Sequence, residues 1–215
     1  MADVARLAGV STMTVSRALK PDSYIRSDTR EKILKAVDEL GYVIDTTAAG
    51  LSSRRPGFVA MIIPSINNSN FAQTVRGASD TLKEAGLQLL LAYTNYDIDE
   101  EEKLVVQLLA RRPEAIILTG GRHTPKCRHL LERVNIPVIE TWDEPKSPVG
   151  MSVGFSNRLA TRLTLDHLRG QGCEKIVFVG GDHEADSRGF DRRMGYVEAA
   201  KTQGFEPMVV DLGKP

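Results

Sequence analysis

The spacing of apolar positions changes character twice along the chain. Over the first 43 residues it is helical. Val4, Ala5, Leu7 and Ala8 recur at helical intervals with Arg6 pointing away, and Gly9 stands where a C-cap glycine belongs. Ser11 is a good N-cap for a second short helix whose inner positions are Val15, Ala18 and Leu19. Pro21 breaks the chain after it. A third helix is predicted from Ser27 to Gly41, capped by Ser27, with Asp28 and Glu31 at its positive end. Its stripe is Ile33, Leu34, Val37 and Leu40. That stripe should bury Val4, Leu7, Val15 and Leu19, with Tyr42 and Val43 closing the small core. Residues 44–57 carry few core positions, and Gly50 weakens any helix there, so only Thr46 to Ser53 reads as marginally helical. From Phe58 the period changes again. Apolar runs at Phe58–Ile63, Leu87–Tyr93, Ala115–Leu118, Pro137–Glu140, Lys175–Val179 and Met208–Asp211 predict strands. Helical patterns separate them at Phe71–Glu84, Glu100–Arg111, Lys126–Val134, Ser156–Gln171 and Arg192–Gln203. Buried strands alternating with helices predict a doubly wound parallel sheet. The fold class is therefore an all-α helix-turn-helix headpiece followed by an α/β doubly wound parallel sheet.

Composition adds little to this picture. The chain has 215 residues, 41% hydrophobic and 26% charged, as in ordinary globular protein. Lys plus Arg equals Asp plus Glu at 28 each, so net charge carries no global nucleic-acid signal. Residues 1–56 hold nine basic against seven acidic side chains, an excess of only two. Cys127 and Cys173 are far apart with no metal-type spacing and fit a reduced compartment. No apolar run is long enough to span a bilayer, and no export signal is evident. We expect a cytoplasmic protein with no membrane partner, no metal and no cofactor.

The second helix turns Ser11, Thr12, Met13, Thr14, Ser16 and Arg17 outward. Hydroxyls and one guanidinium suit phosphate oxygens and base edges in a major groove. Thr12, Met13 and Arg17 are the candidate base readers, and Ser11, Thr14 and Ser16 the candidate phosphate contacts. Met13 is apolar, so its natural target is a thymine methyl group.

In the α/β part, ligands bind beyond the carboxyl ends of the strands. Polar residues collect there: Ser65, Asn67, Asn68 and Asn70; Thr119, Arg122 and His123; Glu140, Trp142 and Asp143; Asp186, Arg188, Arg192 and Arg193. Phe71 lies close by in sequence. Hydroxyls and amides for a polyol, arginine for a carboxylate and an aromatic face for the carbon edge describe a sugar acid. The candidate contacts are Ser65, Asn68, Phe71, Thr119, His123, Glu140, Trp142, Arg188 and Arg192. Plainer readings stand beside these. Asn67 and Asn68 also suit a turn, His123 a loop, and Asp186 with Arg188 a surface ion pair. Gly180-Gly181 lacks the context of a phosphate loop. A nucleophile elbow, paired histidines and metal spacings are not found, which argues against an enzyme.

The run Asp3-Val4-Ala5-x-x-Ala8-Gly9-Val10-Ser11-x-x-Thr14-Val15-Ser16-Arg17 resembles the N-terminal signature of the lactose-repressor family of bacterial transcription regulators. The resemblance implies a homodimer on palindromic double-stranded operator DNA, controlled by a small effector. It implies a hinge helix whose leucine wedges into the minor groove, and Leu51, nine residues after Tyr42, stands at that position. The hinge departs from the family at Ile44-Asp45 and Ala48-Ala49, so Arg54 and Arg55 would have to supply charge. The remainder resembles a periplasmic sugar-binding protein of two subdomains. Arg192, in Arg192-Arg193-Met194-Gly195-Tyr196, matches the arginine that usually grips the effector. Pro64-Ser65-Ile66-Asn67-Asn68, His123-Thr124-Pro125, Ile136-Pro137-Val138-Ile139-Glu140 and Lys146-Ser147-Pro148 resemble the gluconate-utilisation branch. The implied layout is a headpiece over 1–45, a hinge over 46–57, a first subdomain over 58–156 and a partial second subdomain over 157–215. Against the family pattern we expect a chain truncated at its C-terminus. The alternative is a sugar-binding protein or carbohydrate-acting α/β enzyme without operator-specific binding.

Overall fold

The computed structural model describes residues 1–19, 23–43, 56–180 and 186–212. The expected hinge helix and Leu51 lie outside the described residues. The chain divides into two compact units, the first ending at Arg54.

The first unit holds three helices, α1 (Ala2–Ala8), α2 (Thr12–Ala18) and α3 (Ser27–Glu39). Gly9 ends α1 in the left-handed conformation at φ 67°, where a side chain would be strained. Val4, Ala5, Val15, Ala18, Ile33 and Ala36 form the core, with Leu19, Val37 and Tyr42 partly buried against it. The expected stripe was drawn too wide. Leu7 and Leu34 are each 48% exposed, and Val43 is 85% exposed. Ala5, Ala18 and Ala36 at the contacts let the helices approach closely, so the buried stripe is narrow. Leu34 sits one residue, about 100°, round α3 from Ile33, and Leu40 falls at the helix end, beyond the core.

The second unit is built on a five-stranded parallel sheet of order β2-β1-β3-β4-β5. Its strands are β1 (Phe58–Ile63), β2 (Gln88–Tyr93), β3 (Ile116–Thr119), β4 (Val138–Thr141) and β5 (Met151–Val153). The crossover helices are α4 (Ser69–Glu84), α5 (Ile98–Ala110) and α6 (Pro125–Arg133). β1 is central and buried on both faces. Ala60 and Ile62 pack with Val105, Leu108 and Leu131, while Met61 and Ile63 pack with Phe71, Val75 and Trp142. Each crossover helix is stopped on its N-terminal side by a side-chain cap, from Asn68, Asp97 and Thr124 in turn. The edge strand β5 was not anticipated, because its three residues are all exposed and carry no period.

Next come α7 (Asn157–Gly170), β6 (Val177–Gly180), α8 (Ser187–Thr202) and β7 (Met208–Asp211), with β6 and β7 paired in parallel. Leu165, Tyr196, Ala199 and Ala200 make a separate small core. The last helix starts five residues before its expected start at Arg192. Gly189 lowers the local helix propensity, but Arg188 and Gly189 are buried, and tertiary packing overrides it. Among the described residues, no helix is long and apolar enough to cross a membrane.

Candidate DNA interface and effector cleft

On α2, Ser11 adopts extended backbone and its Oγ accepts the Thr14 N–H at 3.2 Å. The two hydroxyls lie 2.9 Å apart. Ser11 is thus partly committed to starting the helix. Thr12 and Arg17 are exposed, Thr14 and Ser16 are half-buried, and Met13 is 64% exposed. Val15 and Ala18 lie inward. Ser23 Oγ donates to the Arg17 carbonyl at the end of α2, and Arg30 of α3 donates to the Ser23 carbonyl at 2.8 Å. The polar face is therefore a fixed surface on a packed scaffold, as major-groove readout requires.

In the second unit a cleft opens beyond the carboxyl ends of β1, β2 and β3. Thr94, Thr119, Gly120, Arg122, Ser187 and Arg188 are among its walls. Arg188 is held by Asp186, its Nε donating to Oδ1 at 2.9 Å, and its guanidinium lies 5.3 Å from the Phe71 ring centre. Phe71 is only 5% exposed and meets Trp142 edge-on at 5.8 Å. Trp142, in left-handed backbone at φ 68°, donates its Nε1–H to Thr74 Oγ1 at 3.0 Å and contacts Phe155 at 6.1 Å. Arg192 donates to Asn157 Oδ1 at 2.8 Å, and Asn157 donates to the Trp142 carbonyl at 3.1 Å. Five expected or adjoining side chains thus form one connected group: Phe71, Trp142, Asn157, Arg188 and Arg192. Ser65 and Asn68 are engaged in the turn after β1, accepting from the amides of Asn67 and Asn70. Thr119 reaches the cleft while its hydroxyl donates to the Ile62 carbonyl at 3.2 Å.

Two expected contacts are corrected. The His123 and Glu140 side chains have no exposed surface, and neither lines the cleft. His123 instead bridges two carboxylates. Its Nδ1 lies 2.6 Å from Glu101 Oε1 and its Nε2 lies 3.1 Å from Glu140 Oε1. Burial pushes the imidazole pKa down, but the bonds to Glu101 and Glu140 outweigh it and hold it at about 9. Glu140 Oε2 also accepts the Val149 N–H at 2.8 Å. Beside this bridge, Cys127 Sγ lies 3.8 Å from Glu101 Oε1. Burial, reinforced by Glu101 and Glu102, pushes that thiol up to about 12.

Sequence reasoning left Glu101 and Cys127 without a role. Glu101 sits in an acidic first turn that reads as a response to the helix dipole. Asp143, noted only as a strand-end residue, is 5% exposed and accepts from Ser187 Oγ at 2.6 Å and from the Glu144 amide at 2.9 Å. It joins the end of β4 to the start of α8.

Residues 1–45 match the family described as bacterial regulatory proteins, lacI family. Residues 57–213 match periplasmic binding proteins and sugar binding domain of LacI family. The chain is 32% identical over 206 residues to the HTH-type transcriptional regulator GntR of Pseudomonas aeruginosa, covering 95% of this chain and 60% of that one. It is 32% identical over 207 residues to the HTH-type transcriptional regulator IdnR of Escherichia coli, covering 96% and 62%. It therefore spans about 60% of the length of these curated relatives. A LacI family transcriptional regulator from Silicibacter pomeroyi superposes with a TM-score of 0.91 at 34% identity, over 100% of this chain and 64% of that one. By this fold and these matches, the chain belongs to the lacI family of bacterial regulatory proteins.

Proposed function

We propose that the chain is a sequence-specific DNA-binding regulator, acting as a homodimeric repressor of carbohydrate catabolism genes under control of a sugar acid such as gluconate. The observation that carries this reading is the polar face of α2, displayed on a packed three-helix core in a chain of this family. Thr12, Met13 and Arg17 read base edges; Ser11, Thr14 and Ser16 hold phosphates. Leu51 acts as the minor-groove wedge of a hinge over 46–57. The effector enters the cleft beside Thr119 and meets Arg188, with Arg192 and Trp142 behind it. The pairing of arginine with an aromatic wall favours an anionic sugar over a neutral one. His123 and Glu140 are left out of the contact set.

The experiment selects duplexes from a palindromic random library and measures binding by anisotropy, with Arg17→Ala as control. Recovery of one preferred sequence whose binding Arg17→Ala abolishes supports the reading. No sequence preference overturns it, and preference intact in Arg17→Ala takes base reading away from Arg17.

A further inference from the structure

We propose that Glu101, His123 and Cys127 form a binding site for a divalent transition metal, zinc in particular, with Glu140 supporting it from behind.

The three donors come from three places: α5, the residue before the Thr124 cap, and the first turn of α6. Their ligand atoms all lie within 4.8 Å of one another. Ligands about 2.0–2.3 Å from a tetrahedral zinc sit roughly 3.3–3.8 Å apart. The separation of 3.8 Å between Cys127 Sγ and Glu101 Oε1 already meets this. The 2.6 Å between Glu101 and His123 Nδ1 needs only a sub-ångström opening.

The surroundings are those of a metal-bound imidazole. A ligating histidine commonly donates its other ring N–H to a carboxylate, which fixes tautomer and ring plane. Here Nε2 faces Glu140 at 3.1 Å, and Glu140 is in turn held by the Val149 amide. On binding, zinc forms bonds to Sγ and Nδ1 and displaces a proton from each to solvent. The neutral imidazole then keeps Nε2–H for Glu140. Thiolate, imidazole and carboxylate together favour zinc over magnesium or calcium. Glu101, 10% exposed at its side chain, also lines the cleft, so water from that side fills the fourth position.

The site stands apart from the DNA-binding reading and its test does not involve DNA. The full chain, freed of metal by chelation, is titrated with cobalt(II) and then zinc(II), and followed by absorbance. With Cys173→Ala as background, Cys127 is the single thiol in the chain. The expected result is one cobalt per chain, a thiolate-to-cobalt charge-transfer band, tetrahedral d–d bands, and displacement by one equivalent of zinc. Cys127→Ala should lose the charge-transfer band. A Cys173→Ala chain without that band overturns the proposal, whether or not Cys127→Ala folds. So does a band that persists in Cys127→Ala.

Discussion

The guanidinium carbon of Arg188 lies 5.3 Å from the centre of the Phe71 ring, so a side chain from the first turn of α8 meets one from the first turn of α4. The pair joins the second sheet's crossover to the first sheet at the cleft. Arg188 is 7% exposed, yet it belongs to the cleft lining, so it is held in place before any ligand arrives. An anion in the cleft would compete with Asp186 for this cation, 2.9 Å away. Arg188→Lys keeps the charge but loses the planar fork and its stacking. Gluconate binding, measured by calorimetry, should weaken about 10-fold in Arg188→Lys and about 100-fold or more in Arg188→Ala, roughly 1–3 kcal/mol. Equal affinities for gluconate across the three chains would remove Arg188 from the contact set.

The His123 bridge gives the metal-free chain a stability that depends on pH. The folded pKa, about 9, lies above the ordinary value of 6.5. The bridge's contribution is therefore full below about pH 6.5 and is lost as pH rises through 9. It is at most of the order of 3 kcal/mol. Cys127, pushed up to about 12, stays protonated across this window. Urea unfolding of the α/β unit in chelator should show the midpoint falling between pH 6.5 and 9. His123→Gln should cost about 3–5 kcal/mol at neutral pH, because two buried carboxylates lose their cation.

Much of the architecture was legible because period and length are local. The apolar run Phe58–Ile63, stopped by Pro64, has the length of a strand buried on both faces, and it is one. Gly9 and Ser11 marked their helix ends because capping is set by one residue. What escaped depended on distant partners. The MSV run of β5 makes a strand only because β4 lies beside it. The helical start at Ser187 depends on burying Gly189. Arg188 and Trp142 were singled out by their place after strand ends, and the structure brings both against Phe71. His123 and Glu140 stand at strand ends too, but they turn inward to each other and to Glu101, 22 residues before His123, a pairing that no local pattern encodes.

Gly195 shows the same dependence and predicts a specific failure. A Cβ built there would lie 2.3 Å from the Arg158 carbonyl oxygen and 2.9 Å from the Arg158 Cα. The neighbour is backbone, so it cannot rotate away. In Gly195→Ala, α7 and α8 must separate. The gain in helix propensity, about 1 kcal/mol, is outweighed by overpacking of about 1–3 kcal/mol and by loosening around Tyr196 and Leu165. A lower thermal midpoint for the α/β unit, with headpiece melting unchanged, is the expected outcome. A variant as stable as the parent would show that the two helices are not held this close.

The headpiece separates folding from recognition, and two substitutions should divide them cleanly. Ser11 accepts the Thr14 amide and begins α2, so Ser11→Ala leaves an end donor unpaired. That should cost about 1 kcal/mol of headpiece stability and weaken binding to all duplexes alike. Arg17 lies on the exposed face, outside the core of Val4, Val15 and Ile33. Arg17→Ala should change stability by less than about 0.5 kcal/mol. It should reduce discrimination between selected and random duplexes by about 10- to 100-fold, the value of a bidentate base contact of roughly 1–3 kcal/mol. Anisotropy at two salt concentrations completes the assignment. A phosphate contact lowers the slope of log affinity against log salt by about one, whereas a base contact leaves it nearly unchanged. If Arg17→Ala flattens the slope and spares specificity, Arg17 holds the backbone, and reading of the bases falls to Thr12 and Met13.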